Sequence, residues 1–96
     1  MRLGEHYRLR IIDIHTARPS MIARVLRDST PVAWRAVAKD GMPLPPDQAT
    51  MRPAVQQMGN GETYDFELVP TAVGELRFTV SSAAGALLVS QTFRVR

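Results

Sequence analysis

The amino-acid sequence predicts an all-β fold, a sandwich or partly closed barrel of about seven short strands. Three observations lead there. Apolar and polar residues alternate through most segments, the period of a strand with one wet face. Turn-forming clusters of Gly, Pro, Asn, Asp and Ser recur about every 10 to 12 residues. No apolar pattern of helical period is long enough to compete with them. A chain of 96 residues suits one domain with a modest core.

The elements follow in order. YRLRIIDI at 7–14 is the first strand: Tyr7, Leu9 and Ile11 alternate with arginines, and Ile12 and Ile14 then shift the apolar face, as at a bulge or a doubly buried end. His15 to Pro19 is a connection. MIARVLRD at 21–28 has helix-favouring residues, yet Pro19 and Pro31 bracket a span too short for a helix among strand-like neighbours, so strand is preferred. Asp28 to Pro31 is a turn. Val32, Trp34, Ala36 and Ala38 share one face of the next strand, with Trp34, the single tryptophan, as core anchor. Lys39, Asp40 and Gly41 turn the chain. Pro43, Pro45 and Pro46 make residues 42–52 a long surface loop, with a helical turn at 47–51. Residues 53–58 form a short or edge strand. GNG at 59–61 turns into the clearest strand, Glu62 to Val69, with Tyr64, Phe66 and Leu68 inward and Asp65 and Glu67 solvating the outer face. After a connection at 70–74, Leu76, Phe78 and Val80 alternate in the next strand. Ser82 to Gly85 turns into a closing strand with Leu87, Val89, Phe93 and Val95 in phase.

Composition narrows the chemistry. The absence of cysteine removes disulfides, thiolate metal sites and thiol nucleophiles. No window is apolar enough to span a membrane, and the N terminus has no secretion-signal pattern. The net charge of +3 is uneven: residues 1–52 carry nine Arg or Lys against five acids, and residues 53–96 carry three against four. The bases are scattered and do not interleave with aromatics, which argues against a nucleic-acid platform.

Candidate chemical groups are few. Asp13 and His15 share a strand face, two ligands where zinc wants three or four; His6 is read as part of a mobile N terminus. None of the serines (Ser20, Ser29, Ser81, Ser82, Ser90) sits in a nucleophile elbow. Glu62 and Asp65 have an odd separation and face opposite ways, which argues against joint catalysis. Structural roles fit better: Glu62 accepting backbone N–H groups at the turn, Asp65 pairing with an arginine on a neighbouring strand. No catalytic, cofactor-binding or metal-binding residue is assigned.

Four stretches in order, YRLRIIDI at 7–14, AWRAVAKDGMPLPP at 33–46, VQQMGNGETYDFELVP at 55–70 and GELRFTV at 74–80, resemble a cupredoxin-like domain of the multicopper oxidase family. The matching residues are Tyr7, Arg8, Arg10, Lys39, Asp40, Gly41, Gly61, Glu62, Tyr64, Asp65 and Gly74. The resemblance is to a non-terminal domain. It implies a Greek-key cupredoxin-like β-sandwich over residues 1–96, taken from a longer multidomain protein. It further implies a periplasmic or extracellular setting and neighbouring cupredoxin domains, of the same chain or oligomer, as partners. The family's copper ligands, H-x-H pairs and an H-C-H arrangement, are missing, so the copper belongs to the rest of such a protein. The expected role is structural, with the stiff loop at 42–53 as contact surface. Two other readings are an independent immunoglobulin-like binding module for a protein or glycan, and a small enzyme with a pocket of converging polar groups.

Overall fold

Strands that alternate apolar and polar residues each have one face to bury, and two stacked sheets do this. The computed structural model describes residues 1–13 and 20–96. Among the described residues the chain forms ten strands: β1 (Tyr7–Ile12), β2 (Ser20–Arg27), β3 (Thr30–Pro31), β4 (Ala33–Lys39), β5 (Met42–Pro43), β6 (Met51–Pro53), β7 (Val55–Gly59), β8 (Thr63–Leu68), β9 (Gly74–Ser82) and β10 (Leu87–Val95). Sheet A has the order β1-β8-β4-β5, with β6 also paired to β4. Sheet B has the order β10-β9-β2-β3, with β7 also paired to β2. These pairings are antiparallel. The protein is thus an all-β, two-sheet fold.

Between the sheets, Trp34 of β4 stacks on Phe66 of β8 with ring centroids 3.8 Å apart. Val25, Ala36, Ala54, Leu68, Leu76 and Val95 complete the buried cluster. Tyr64, half-buried, packs on its margin, so the inward set of Tyr64, Phe66 and Leu68 is as the alternation predicts.

Two turns show why the strands pair as they do. Asp28 and Ser29 both have positive φ between the paired residues Arg27 and Thr30. Asp40 and Gly41 do the same between Lys39 and Met42. Positive φ at both central positions is the tight hairpin geometry that matches strand twist, and Asp-Gly suits it.

On one side the sandwich is closed by a bent ribbon. The chain leaves sheet B after β3, passes through Val32 and enters sheet A as β4; it returns from β6 through Ala54 to β7. The two crossing points bond to each other and to β2. Ala54 N–H donates to Val32 C=O at 2.7 Å, while Val32 N–H and Val25 C=O, and Val25 N–H and Ala54 C=O, pair at 3.0 Å. A strand that changes sheets needs such a corner.

Several expectations change. Ile12 continues the alternation of β1 and is exposed, so no bulge occurs there; Ile14 and His15 lie outside the described residues. The register shift falls in β4 instead. Ala36 pairs with Phe66 and Ala38 with Asp65, so Val37 is the extra residue and Ala38 joins the outer side. The loop at 42–52 is not free of strands: its ends, β5 and β6, pair with β4, at positions where proline is tolerated beside an edge. Its helical turn closes earlier than predicted, with Gln48 and Ala49 N–H groups donating to Pro45 C=O. In β10 a register shift between Leu87 and Val89 breaks the phase. Phe93 and Val95 face the core, whereas Leu87 sits opposite Ser81 and is exposed. The N-terminal segment is tied down: Leu3 N–H donates to Arg96 C=O and Gly4 N–H to Pro70 C=O.

Candidate functional site

Polar groups gather at three places, and each is built by strand register. The first is the outer face of sheet A. Antiparallel pairing sets Arg10 of β1 directly opposite Asp65 of β8, and Arg8 opposite Glu67. Side chains diagonal across such a pair are within reach, so both arginines converge on Asp65. Arg10 Nε and Nη2 donate to its two oxygens at 3.1 Å each, and Arg8 Nε donates to Oδ2 at 2.9 Å. Asp65 is only 2 % exposed. It therefore does not solvate the outer face as the alternation suggested. Its face is right, but the two arginine stems roof it over. The Arg10 hydrogen bonds, supplemented by Arg8, hold its pKa below the usual carboxylate range against the opposing effect of burial, and the Arg10 pKa is raised in return. Glu67 accepts from Arg35 at 3.2 Å and lies 3.3 Å from His6 Nδ1. His6 is thus positioned on this lattice and does not hang from a mobile end.

The second place is the β7–β8 turn. Glu62 accepts the Gly59 N–H with Oε1, while Oε2 accepts from Tyr64 Oη at 3.1 Å and meets Lys39 Nζ at 2.9 Å. The Gly59 amide, then Lys39, lowers the Glu62 pKa. Burial, then Glu62, raises that of Tyr64. Lys39 also lies over the Tyr64 ring, 5.4 Å from its centroid, and its pKa is raised chiefly by Glu62. Asp40 closes the group: its Oδ1 accepts the Thr63 N–H at 2.9 Å and its own N–H donates to Thr63 C=O at 2.7 Å. Glu62 and Asp65 thus have separate partners, Glu62 accepting a turn amide and Asp65 pairing with arginines of the adjacent strand, as their spacing predicts.

The third place is the outer face of sheet B, which sequence reasoning passed over. Arg24 of β2 lies beside Thr79 and Ser81 of β9 and donates to Ser81 Oγ at 2.8 Å. A depression of about 360 Å³ is lined here by Arg24, Leu26, Pro31, Thr79, Ser81 and Leu87. The signal in the sequence was the arginine between Ile22 and Leu26 on the face that alternation turns outward.

The core itself is reached through a cleft of about 250 Å³ between β1 and β10, where Leu9, Ile11, Phe78 and Phe93 meet. Its side-chain lining is mainly apolar and brings together no nucleophile and base. Among the described residues no group of three or more His, Cys, Asp or Glu is placed to hold a metal ion. The donors do not fit the family's copper chemistry either, since the chain has no cysteine and His6 is engaged with Glu67. Asp13 is buried beside the Glu62 turn, its N–H donating to Glu62 C=O and its C=O accepting from Gly61 N–H. Among the described residues no helix is long and apolar enough to cross a membrane.

The chain matches no protein-family model, no curated protein and no solved structure. What the geometry supports directly is a small β-sandwich module whose carboxylates at the first two places stabilise the scaffold.

Proposed function

We propose that the chain is a non-catalytic structural domain of a multicopper oxidase-like protein, a cupredoxin-like module that packs against copper-bearing domains and positions them. In this reading the longer protein oxidises a substrate with copper and reduces oxygen outside the cytoplasm, and residues 1–96 contribute neither metal nor catalytic groups. One observation carries it. Residues that bear the resemblance, far apart in sequence, converge into two clusters on one sheet: Arg8 and Arg10 on Asp65, and Lys39, Tyr64 and Glu62 on each other with Asp40 closing the turn. A pattern that maps onto scaffold contacts is what a structural signature requires.

The test is the full-length gene product. Copper-ligand motifs flanking this segment, together with weak or no response of His6 and His15 to Cu(II) and Cu(I) by NMR, are the expected results. Tight stoichiometric copper binding by both rings, or flanking domains of unrelated type, overturns the reading. The second reading, an independent immunoglobulin-like binding module, draws on the exposed apolar residues of sheet B, Val55 and Leu87. It predicts a separate partner with no copper domain nearby.

A further inference from the structure

The margins of the two sheets are guarded unequally. β3, β5 and β6 are two or three residues long and each contains a proline, Pro31, Pro43 or Pro53, which withholds an N–H from any further strand. β10 also lies at a margin, yet it runs for nine residues, Leu87–Val95, with no proline, glycine, lysine or acid. Among the described residues, its side away from β9 is taken only at the C-terminal end. There Leu3 N–H donates to Arg96 C=O at 2.8 Å and Arg96 N–H to Met1 C=O at 3.0 Å, and the Met1 amine donates to Arg94 C=O at 2.9 Å. Backbone groups point to alternate sides along a strand, so Thr92 and Ser90 turn theirs to the same side as Arg94 and Arg96. No strand bonds them there among the described residues.

The open stretch is bounded at both ends. Residues 1–3 close it beyond Phe93, and the register shift between Leu87 and Val89 interrupts it before Val89. What remains is VSQTF at 89–93: apolar, hydroxyl, amide, hydroxyl, apolar. That order reads the same from either end, with Gln91 at its centre. Cover is also lost along this stretch. On the inward face of β10, opposite Gly74, Leu76, Phe78 and Val80, Val95 is buried, Phe93 half-buried, Gln91 exposed and Val89 47 % exposed. An apolar residue on the core side of a sandwich is thus left half in water where no neighbour lies along the edge.

We infer that this edge pairs with the same edge of a second copy, antiparallel about Gln91, so that sheet B of one copy continues into sheet B of the other. Such pairing sets Val89 against Phe93, Ser90 against Thr92 and Gln91 against Gln91 of the second copy. Each residue meets its own kind, and Ser90 and Thr92 exchange their free N–H and C=O groups. The two glutamine amides can donate to and accept from each other. The contact is isologous, the same patch on both copies, and closes as a dimer. The other long margins do not match themselves. In β1, antiparallel pairing about Leu9 sets Arg8 against Arg10, and about Arg10 sets arginine against arginine. In β7, pairing about Gln57 sets Gln56 against Met58 and Val55 against Gly59. The inference rests on the strand edge alone and needs no copper domain.

Sedimentation velocity over a concentration series of the 96-residue chain tests it. The wild-type chain is expected to show a monomer–dimer equilibrium. Gln91→Glu and Gln91→Lys each set like charges against each other on the twofold axis, and each alone should dimerise about tenfold more weakly than wild type, or worse. Mixed in equal amounts the two should dimerise to within about threefold of wild type, because opposite charges then meet. Thr92→Pro removes an edge N–H that β9 does not use and should abolish the dimer. Circular dichroism checks that each variant keeps its fold, and the Gln91 pair decides the matter at an exposed side chain whatever Thr92→Pro does. A wild-type chain monomeric at every concentration overturns the inference. A dimer that survives both Gln91 variants overturns it equally, since another surface then joins the copies, and so does a mixture of the two that stays monomeric. None of these outcomes depends on copper, so this inference and the copper-domain reading fail separately.

Discussion

The two outer faces of the sandwich handle their arginines in opposite ways. On sheet A, Arg8 and Arg10 close over Asp65 and the charges are satisfied within the sheet. On sheet B, Arg24 donates to the Ser81 hydroxyl in a depression of mixed lining, with Leu26, Pro31 and Leu87 beside Ser29 and Thr79. The first arrangement joins two strands of one domain, because each partner comes from β1 or β8. The second likewise joins neighbouring strands, β2 and β9, but through a neutral hydroxyl. The difference separates an arginine pair closed over a buried carboxylate from an arginine that meets only a neutral acceptor. Burial of the carboxylate is the deciding quantity: Asp65 has been desolvated and depends on its partners, whereas no acid has been desolvated beside Arg24.

Three measurements break or sharpen this contrast. The largest effect is expected at Asp65. Asp65→Ala should cost about 1.5–3 kcal/mol in urea unfolding, the range for charged hydrogen bonds; a loss near zero would place Asp65 in the same class as a surface ion pair. Acid titration comes next. The pKa values of Asp65 and Glu62 are lowered in the folded state, so their contribution is present above the unfolded value of about 4 and disappears as pH falls through the folded values. Thermal melts should therefore show wild-type stability falling below about pH 4, with a shallower fall in Asp65→Asn and an unchanged slope in Arg24→Ala. The smallest effect is on the stability of the folded monomer in Arg24→Ala, expected within about 0.5 kcal/mol of wild type. A cost matching that of Asp65→Ala would erase the distinction between the two faces.

Much of this architecture was legible because alternation reports the face on which a side chain sits. It placed Tyr64, Phe66 and Leu68 inward, separated Glu62 from Asp65 and identified Trp34 as a core residue. Alternation does not report what lies above a face. The outer face of Asp65 and its pairing with a neighbouring arginine are legible, but nothing in its own strand reveals that Arg8 and Arg10 together cover it. Register shifts were equally silent. One extra residue at Val37 moves Ala38 to the side of Asp65, and another irregularity near Leu88 turns Leu87 outward. The prolines at 43, 45 and 46 argue against a central strand and are correct in that sense; they do not preclude the short pairings of β5 and β6 at the margin of β4. The Arg24 depression was missed because it needs three strands and the hairpin at 28–29 to exist, and one strand read alone shows only an arginine between apolar residues.

The corner at Val32 and Ala54 has a kinetic meaning. Ala54 is fully buried, its N–H is bonded to the crossing point of one ribbon strand and its C=O to a central strand of sheet B. β6 and β7 are marginal strands of the two sheets, so these two bonds tie both margins to the β3–β4 crossing and to β2. Exchange of the Ala54 amide with deuterated solvent therefore reports the opening of this corner: a rate that tracks the global unfolding free energy means that the β6–β7 ribbon leaves only with the whole fold, and a faster rate means that it peels away first. A single backbone position thus serves as an internal gauge of whether the two sheets open as one cooperative unit.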